Sequence, residues 1–354
     1  CHLECKQFRR LQHIEFAPHP GINVLRGHNA QGKTSVLEAI LFVSTSKSHR
    51  TTTERDLLCH GEEAFHIHAQ AERGGSTLKL ESHWYRGTKR IKVNGIPQTR
   101  MSELLGRLNV VFFSPEDLEL IKGGASQRRR FLDMEVSQVD GAYLQALQRY
   151  RQVLRQRNEL LRGYKPDIAL LEVWDVQLAE HGATLMQARR RFIKELAAHA
   201  QTAYATIVEE EAFTLTYKPD VEDEAALLET WESARAMDIK RRQSTRGPHR
   251  DDLEIMVSEK AARVFGSQGQ QKSAALALKL AEVHLVNERT GEYPILMLDE
   301  VLAELDAKRS RKLFEAIPQA VQCLVTTTQM QAGLEAIPRV NASFMIENGQ
   351  LSKA

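Results

Sequence analysis

The sequence predicts an α/β protein whose sheet-forming head is split along the chain by an inserted, mainly helical arm domain. Three observations predict it. The apolar strand Ile22–Leu25 runs into a glycine loop and then into a helix pattern from Lys33 to Val43. Strand and helix patterns alternate again after Gly247-Pro248. Between these stretches, from about Asp140 to Glu211, the periodicity is helical and glycine is scarce. The expected segments are 1–120, 121–246 and 247–354.

Each element has its own signal. Leu3–Phe8 and His13–Ala17 read as paired strands, and Ala64–Glu72 and Thr77–Tyr85 alternate apolar and polar as half-buried strands do. Lys89–Val93 is closed by the turn dipeptide Asn94-Gly95, and Asn109–Phe113 is a buried strand stopped by Ser114-Pro115. Helices follow over Asp140–Arg162 and from Ile168 to about Glu211, with Gly163 to Asp167 as the turn. In the second, Leu171, Trp174, Leu178, His181, Leu185, Ala188, Phe192 and Leu196 form a heptad-like seam. An antiparallel helical arm is expected, with a compact helical subdomain as the alternative. Leu253–Val257, Pro294–Leu298, Val321–Thr326 and Phe344–Ile346 are strands; Gly269 to about Glu288 and Asp306–Ala316 are helices.

Composition narrows the class. The 354 residues are 42% hydrophobic and carry a formal charge of +2, so the chain folds and has no global basic field. Nucleic-acid binding must therefore come from local patches. The best apolar run, Val36 to Val43, is eight residues long and contains Glu38, too short for a membrane span. No secretory signal is read at the start, where the first residue is Cys1 rather than Met. Cys1, Cys5, Cys59 and Cys323 lack the C-x2-C pairing of zinc sites and read as reduced thiols in a cytoplasmic protein.

Gly27-His28-Asn29-Ala30-Gln31-Gly32-Lys33-Thr34 fits G-x-x-x-x-G-K-[ST] without a mismatch, and Ser35 follows it. Two glycines let the backbone wrap so that its N–H groups point at phosphate oxygens. Lys33 reaches the β- and γ-phosphates, and the Thr34 hydroxyl is a Mg²⁺ ligand. The following helix adds the positive end of its dipole. Far downstream, Ile295-Leu296-Met297-Leu298 ends in Asp299-Glu300, 265 residues beyond Thr34. Asp299 is expected to hold magnesium and Glu300 to polarise the attacking water. The absence of an N-K-x-D motif favours ATP over GTP. Ser267, Gly269 and Gln270 open a helix, where hydroxyl, backbone N–H groups and dipole suit an anion; a plain helix cap is the other reading.

This ordered set, with Ala303-Glu304-Leu305-Asp306 after it, resembles an ABC-type P-loop ATPase head. More narrowly, the chain is similar to the RecF family, short-armed relatives of SMC proteins. Phe8-Arg9-Arg10, Phe113-Ser114-Pro115-Glu116-Asp117, Arg128-Arg129-Arg130-Phe131-Leu132-Asp133 and Gly247-Pro248-His249-Arg250-Asp251-Asp252-Leu253 carry the resemblance. It implies that Ser267 and Gly269 contact the γ-phosphate bound to a second copy, so that ATP closes a homodimer and hydrolysis releases it. It also implies recombinational repair and replication on double-stranded or gapped DNA, with RecR and RecO mediators and the recombinase RecA as partners.

Two departures stand out. No Gln lies between Met101 and Lys122, leaving Ser114, Glu116 or Asp117 to couple the γ-phosphate to a partner. Thr326-Thr327-Thr328 occupies the place where transporter ATPases carry a sensing His, which argues against a transporter subunit and fits weak ATPase activity. An SMC-like bridging scaffold and an ATP-dependent nuclease are the competing readings. For DNA, residues 120 to 162 hold nine Lys or Arg against four acids, and Arg189-Arg190-Arg191 and Lys240-Arg241-Arg242 add two clusters. Arg128, Arg129, Arg130, Arg189, Arg190 and Arg191 are the candidate contacts. Aromatics are not interleaved with these runs, so backbone rather than base recognition is expected.

Overall fold

The structure, a computed structural model, describes residues 2–100, 103–328 and 337–353. Cys1 lies outside the described residues. The chain divides into two compact units, one of Cys1–Asp117, Ala203–Glu209 and Ala275–Ala354, the other of Leu118–Thr202 and Glu210–Ala274.

In the first unit, β1 (His2–Phe8) and β2 (Leu11–Phe16) form a hairpin, and β3 (Ile22–Arg26) leads through a loop into α1 (Lys33–Thr45). Next come β4 (Ala64–Arg73), β5 (Ser76–Tyr85), β6 (Thr88–Val93), β7 (Ile96–Gln98) and β8 (Val110–Phe113). An antiparallel six-stranded sheet has the order β2-β1-β4-β5-β6-β7. Its strands bury alternate residues, as the period-2 pattern requires. β8 and all of β3 but Arg26 are instead buried, and both strands belong to a second sheet. Helix α1 is apolar nearly all round because both sheets contribute to the core that contains it. Phe42 meets Phe8 and Phe65 there, beside Leu25, Met297 and Ile346.

The second unit holds α2 (Leu118–Lys122), α3 (Ala125–Val139), α4 (Gly141–Arg162), most of α5 (Ile168–Ile207), β9 (Phe213–Lys218) and α6 (Leu227–Arg241). It continues with β10 (Asp252–Val257), β11 (Lys260–Ala261), α7 (Ala262–Phe265) and the first residues of α8 (Gln268–Thr290). At 40 residues, α5 is about 60 Å long. Leu171, Leu178, Leu185, Ala188, Phe192 and Leu196 of the expected seam are buried, while Trp174 and His181 are half-buried. Polar residues share that seam. Arg157 on α4 is fully buried and bonds Asp175 on α5 and Asp238 on α6, each at 2.7 Å, with Ser244 Oγ at 2.8 Å.

The units divide elsewhere than at the expected boundaries. β10 pairs with β9 in a small three-stranded sheet, Leu253 opposite Tyr217, rather than with either head sheet. Residues 247–274, expected in the C-terminal part of the head, therefore stand with the helices. The chain then returns to the first unit with β12 (Ile295–Leu298), α9 (Val301–Glu304), α10 (Ala307–Ala316), β13 (Cys323–Thr327), β14 (Ala342–Glu347) and β15 (Gln350–Lys353). The second sheet has the order β15-β14-β3-β13-β12-β8 and is parallel except at β15. Cys5, Cys59 and Cys323 are free thiols. No helix among the described residues is long and apolar enough to cross a membrane.

One half-buried histidine is expected to make the second unit acid-sensitive. The His249 ring lies between the Tyr150 hydroxyl (2.8 Å from Nδ1) and the Ser244 carbonyl (3.1 Å from Nε2). A carbonyl only accepts, so Nε2 carries the proton and Nδ1 accepts from the tyrosine. Burial lowers its pKa from 6.5 to about 4. The unfolded chain thus binds a proton that the folded chain refuses, and this contribution to stability is lost as pH falls from 6.5 towards 4. The urea midpoint of the wild type is expected to drop across that interval more steeply than that of His249→Gln, and equal slopes would refute the assignment.

Candidate nucleotide-binding site

Parallel strands deliver the site residues to one edge of the second sheet. Leu298 on β12 pairs with Phe113 on β8 and Val325 on β13, and β3 pairs with β13 on its other side. Asp299-Glu300 and the loop after β3 therefore leave the sheet at the carboxyl ends of the two strands that flank β13, the usual ligand edge of such sheets. Gly27 comes so close to the next strand that a Cβ there would lie 2.4 Å from the Ile346 carbonyl oxygen. Gly32 caps α1 at φ 114°, a conformation that favours glycine.

Lys33, Thr34, Asp299 and Glu300 converge. Lys33 is 4% exposed, and its ammonium donates to the carbonyls of Gly27 (2.9 Å) and His28 (3.0 Å) while pairing with Glu300 at 3.1 Å. The Thr34 hydroxyl lies 2.9 and 3.0 Å from the two Asp299 oxygens. A hydroxyl and a carboxylate so placed are an oxygen donor set suited to a hard cation such as Mg²⁺. Burial raises the Asp299 pKa, and the negative Glu300 and Glu116 add to this, against hydrogen bonds from Thr326 and Thr34. Glu300 adopts φ 52°, a left-handed conformation uncommon for a residue with a side chain. His28, Asn29 and Ala30 are exposed at the loop tip, and Ser35 is buried in the first turn of α1.

Several supports were not foreseen. Arg10 donates to the Ala30 carbonyl at 2.7 Å. Gln31 accepts twice from the β14–β15 turn, its side chain from Asn348 N–H at 2.5 Å and its carbonyl from Gly349 N–H at 3.1 Å. Glu38, fully buried in α1, accepts from Arg9 Nη2 and Nε at 2.8 and 2.9 Å and from the Ser48 hydroxyl at 2.5 Å. Only Phe8-Arg9-Arg10 and the charged residue inside an apolar helix hinted at these ties. Of the residues considered for coupling, Ser114 and Asp117 close on each other, with the Ser114 N–H 2.7 Å from the Asp117 carboxylate. Burial pushes the Glu116 pKa up, but a Ser114 hydrogen bond and the nearby His49 and Arg50 leave it below the ordinary range.

The model of the RecF/RecN/SMC N-terminal domain matches residues 1–351. The DNA replication and repair protein RecF of Bacillus mycoides (strain KBAB4) is 40% identical over 349 residues, 94% of this chain and 92% of the relative. That of Lachnospira eligens is 38% identical over 356 residues, 99% of this chain and 98% of the relative. The chain belongs to the RecF family. The solved structure of the recombination mediator protein RecF-ATPrS in the RecFOR pathway is similar at a TM-score of 0.90 and 32% identity, covering 99% of this chain and 97% of that one. An Smc head bound to the C-winged helix domain of ScpA shares the fold, at a TM-score of 0.60 and 16% identity over 100% and 96% of the two chains.

In this RecF-family chain the Ser-x-Gly-Gln segment lies in the second unit and is a reciprocal cap. Ser267 N–H donates to Gln270 Oε1 at 2.8 Å, and Gln270 N–H donates to Ser267 Oγ at 3.2 Å. Capping and anion binding are compatible, since the Ser267 hydroxyl proton and the first-turn N–H of Gly269 are not consumed by this exchange.

The basic candidates divide, and two are corrected. Arg128 is buried and forks onto Asp252 at 2.6 and 2.9 Å. Arg189 is buried and bonds Asp133 and Asp251, each at 2.7 Å, and the Pro248 carbonyl at 2.8 Å. Both are internal ties, because helical periodicity turns them inward out of runs whose other members are half-buried or exposed. Arg129 is half-buried against the Asp251 carbonyl, and Arg190 pairs with Glu224 at 3.0 Å. Arg130 is exposed, and Arg191, 64% exposed, holds Asp140 only loosely at 3.3 Å.

Proposed function

We propose that the chain binds ATP with Mg²⁺ at the loop Gly27–Thr34 and hydrolyses it weakly, using the nucleotide as a switch between single and paired copies. The convergence of Lys33, Thr34, Asp299 and Glu300 carries this reading. Backbone N–H groups of the loop and the start of α1 hold the phosphates, and Lys33 neutralises charge at their far end. Thr34 and Asp299 would hold Mg²⁺, which screens the triphosphate and stabilises charge on the leaving phosphate. Glu300 orients and polarises the attacking water, its carboxylate turning away from Lys33 when phosphate takes that ammonium.

Ser267 and Gly269 of a second copy complete each pocket. One loop and one capped segment per chain make a symmetric pair the closed arrangement, with two nucleotides shared. Each charge-assisted hydrogen bond is worth roughly 1.5–3 kcal/mol, so several per nucleotide tip a monomer–dimer balance. Family membership and the similarity to a recombination mediator of the RecFOR pathway support work in recombinational repair in the cytoplasm. There the closed pair holds duplex or gapped DNA and, with RecO- and RecR-type mediators, assists RecA loading. Lys33→Ala is expected to abolish ATP-induced dimerisation in analytical ultracentrifugation; dimers as tight as the wild type would contradict the switch.

DNA contact falls to exposed cations of the second unit such as Arg130, Arg149, Arg155 and Arg191. With about 6–10 phosphate contacts, affinity for duplex is expected to fall by roughly 10³–10⁵ between 50 and 200 mM salt. Arg130→Ala and Arg191→Ala should each lower the salt slope by about 1. Fluorescence anisotropy across a salt series measures both, and salt-insensitive binding would overturn the assignment.

A further inference from the structure

We propose that Thr326 is a positioning residue for hydrolysis, fixing both Asp299 and Glu300 through its one hydroxyl. The inference rests on the reading above, in which those two carboxylates serve ATP. Its basis is the register of the parallel sheet. Leu298 on β12 lies opposite Val325 on β13, so the next residues, Asp299 and Thr326, emerge side by side. Thr326 is fully buried. Its Oγ1 donates to Asp299 Oδ1 at 2.6 Å and accepts the Glu300 backbone N–H at 3.0 Å.

A hydroxyl has one proton to donate, and here Asp299 holds it. Thr326 therefore has no proton for a phosphate oxygen unless it releases Asp299. The sensing role expected for a residue at this place is replaced by a supporting one. Two consequences follow for the site. A carboxylate turns easily about its last torsion, which has broad, two-fold preferences. Anchoring Oδ1 to Thr326 stops that rotation and holds the carboxylate with both oxygens at the Thr34 hydroxyl, Oδ2 at 2.9 Å and Oδ1 at 3.0 Å, where the cation ligands meet. The second consequence concerns Glu300, whose backbone sits at φ 52°. Such a conformation persists only where the surroundings impose it. The hydrogen bond from its N–H to Thr326 is one restraint; the contact of its side chain with Lys33 is another.

Threonine suits the position because its β-branched side chain is stiff about χ1, so the hydroxyl direction is set by the strand. Valine keeps that shape and removes the hydroxyl. Serine keeps the hydroxyl and loses some of the stiffness.

The test compares Thr326→Val and Thr326→Ser with the wild type in ATP turnover, in nucleotide affinity without divalent cation, and in the Mg²⁺ concentration giving half-maximal rate. Thr326→Val is expected to lower kcat roughly 100-fold, the scale of a misplacement near 1 Å, and to raise the Mg²⁺ requirement. Cation-free ATP affinity should stay unchanged, and Thr326→Ser should recover most of the rate. A merely structural role would lower the melting temperature while leaving kcat per folded molecule and the Mg²⁺ requirement as they were, and that result overturns the proposal. If Thr326→Val does not fold, Thr326→Ala against Thr326→Ser gives the same comparison, and equal rates for these two would be decisive against it. A wild type without ATPase activity would instead sink the functional reading on which the proposal stands.

Discussion

Glu300→Gln is expected to cut ATP turnover by about 10²–10⁴-fold, the contribution of a well-placed general base, while nucleotide binding survives. The amide keeps the size of the side chain and most of its packing but cannot draw a proton from water. It also removes the negative partner, 3.1 Å away, of a lysine that is only 4% exposed. Lys33 then has only loop carbonyls to satisfy it, so its attraction to a triphosphate should be undiminished or stronger. Steady-state phosphate release together with titration of a fluorescent ATP analogue separates the two effects. The paired, ATP-bound form should accumulate in this variant. A variant that turns over at the wild-type rate would remove Glu300 from the chemistry and leave its left-handed backbone without a catalytic purpose.

The second large effect concerns the helices of the second unit. Arg157→Leu is expected to destabilise the second unit by about 3–5 kcal/mol, the cost of breaking a buried pair and stranding its partners. Arg157 is fully buried, as are Asp175 and Asp238, and it joins α4, α5 and α6 through bonds of 2.7 Å. Asp175 retains Arg235 at 2.9 Å, and Asp238 retains the Thr245 hydroxyl at 2.6 Å. Those ties limit the loss without cancelling it, because neither replaces the central guanidinium. Urea denaturation followed by helical circular dichroism gives the difference directly. A change under about 1 kcal/mol would mean that the network contributes specificity rather than stability. Replacing all three charges together with apolar residues should restore much of the loss, since the penalty comes from leaving carboxylates unpaired.

Local signals made most of the head legible in the sequence. Short apolar runs marked the parallel strands, alternation marked the antiparallel sheet, and the glycine loop marked the turn between β3 and α1. The candidate site cluster was legible for a different reason. Phosphate and cation chemistry demands particular side chains, so Lys33, Thr34, Asp299 and Glu300 could be assigned although Thr34 and Asp299 lie 265 residues apart. What stayed hidden depends on three-dimensional partners. The strand β9 (Phe213–Lys218) is short and adjoins an acidic stretch, and only its pairing with β10 shows that Gly247–Ala274 belongs with the helices. Helices α3 and α6 are polar over much of their length and gave weak periodicity. Arg128 and Arg189 sit in runs of three arginines whose members a linear reading cannot separate, yet the 100° turn per helical residue sends one inward and its neighbour outward. Gln31 and Thr326 were marked by their motif positions alone, and the ties they make were hidden because these come from what β14–β15 and β12 bring beside them.

Gln31 accepts its hydrogen bonds from residues 348 and 349, and Ala30 accepts from Arg10, so the ring around the loop Gly27–Thr34 draws on segments more than 300 positions apart in translation. A ribosome makes the loop early and its last brace late. Until that hairpin emerges, the nascent polypeptide holds an unfinished pocket, and closing so distant a contact is slow. Messages cut short before the hairpin should therefore yield products that neither capture nucleotide nor compete with complete molecules for a place in the pair.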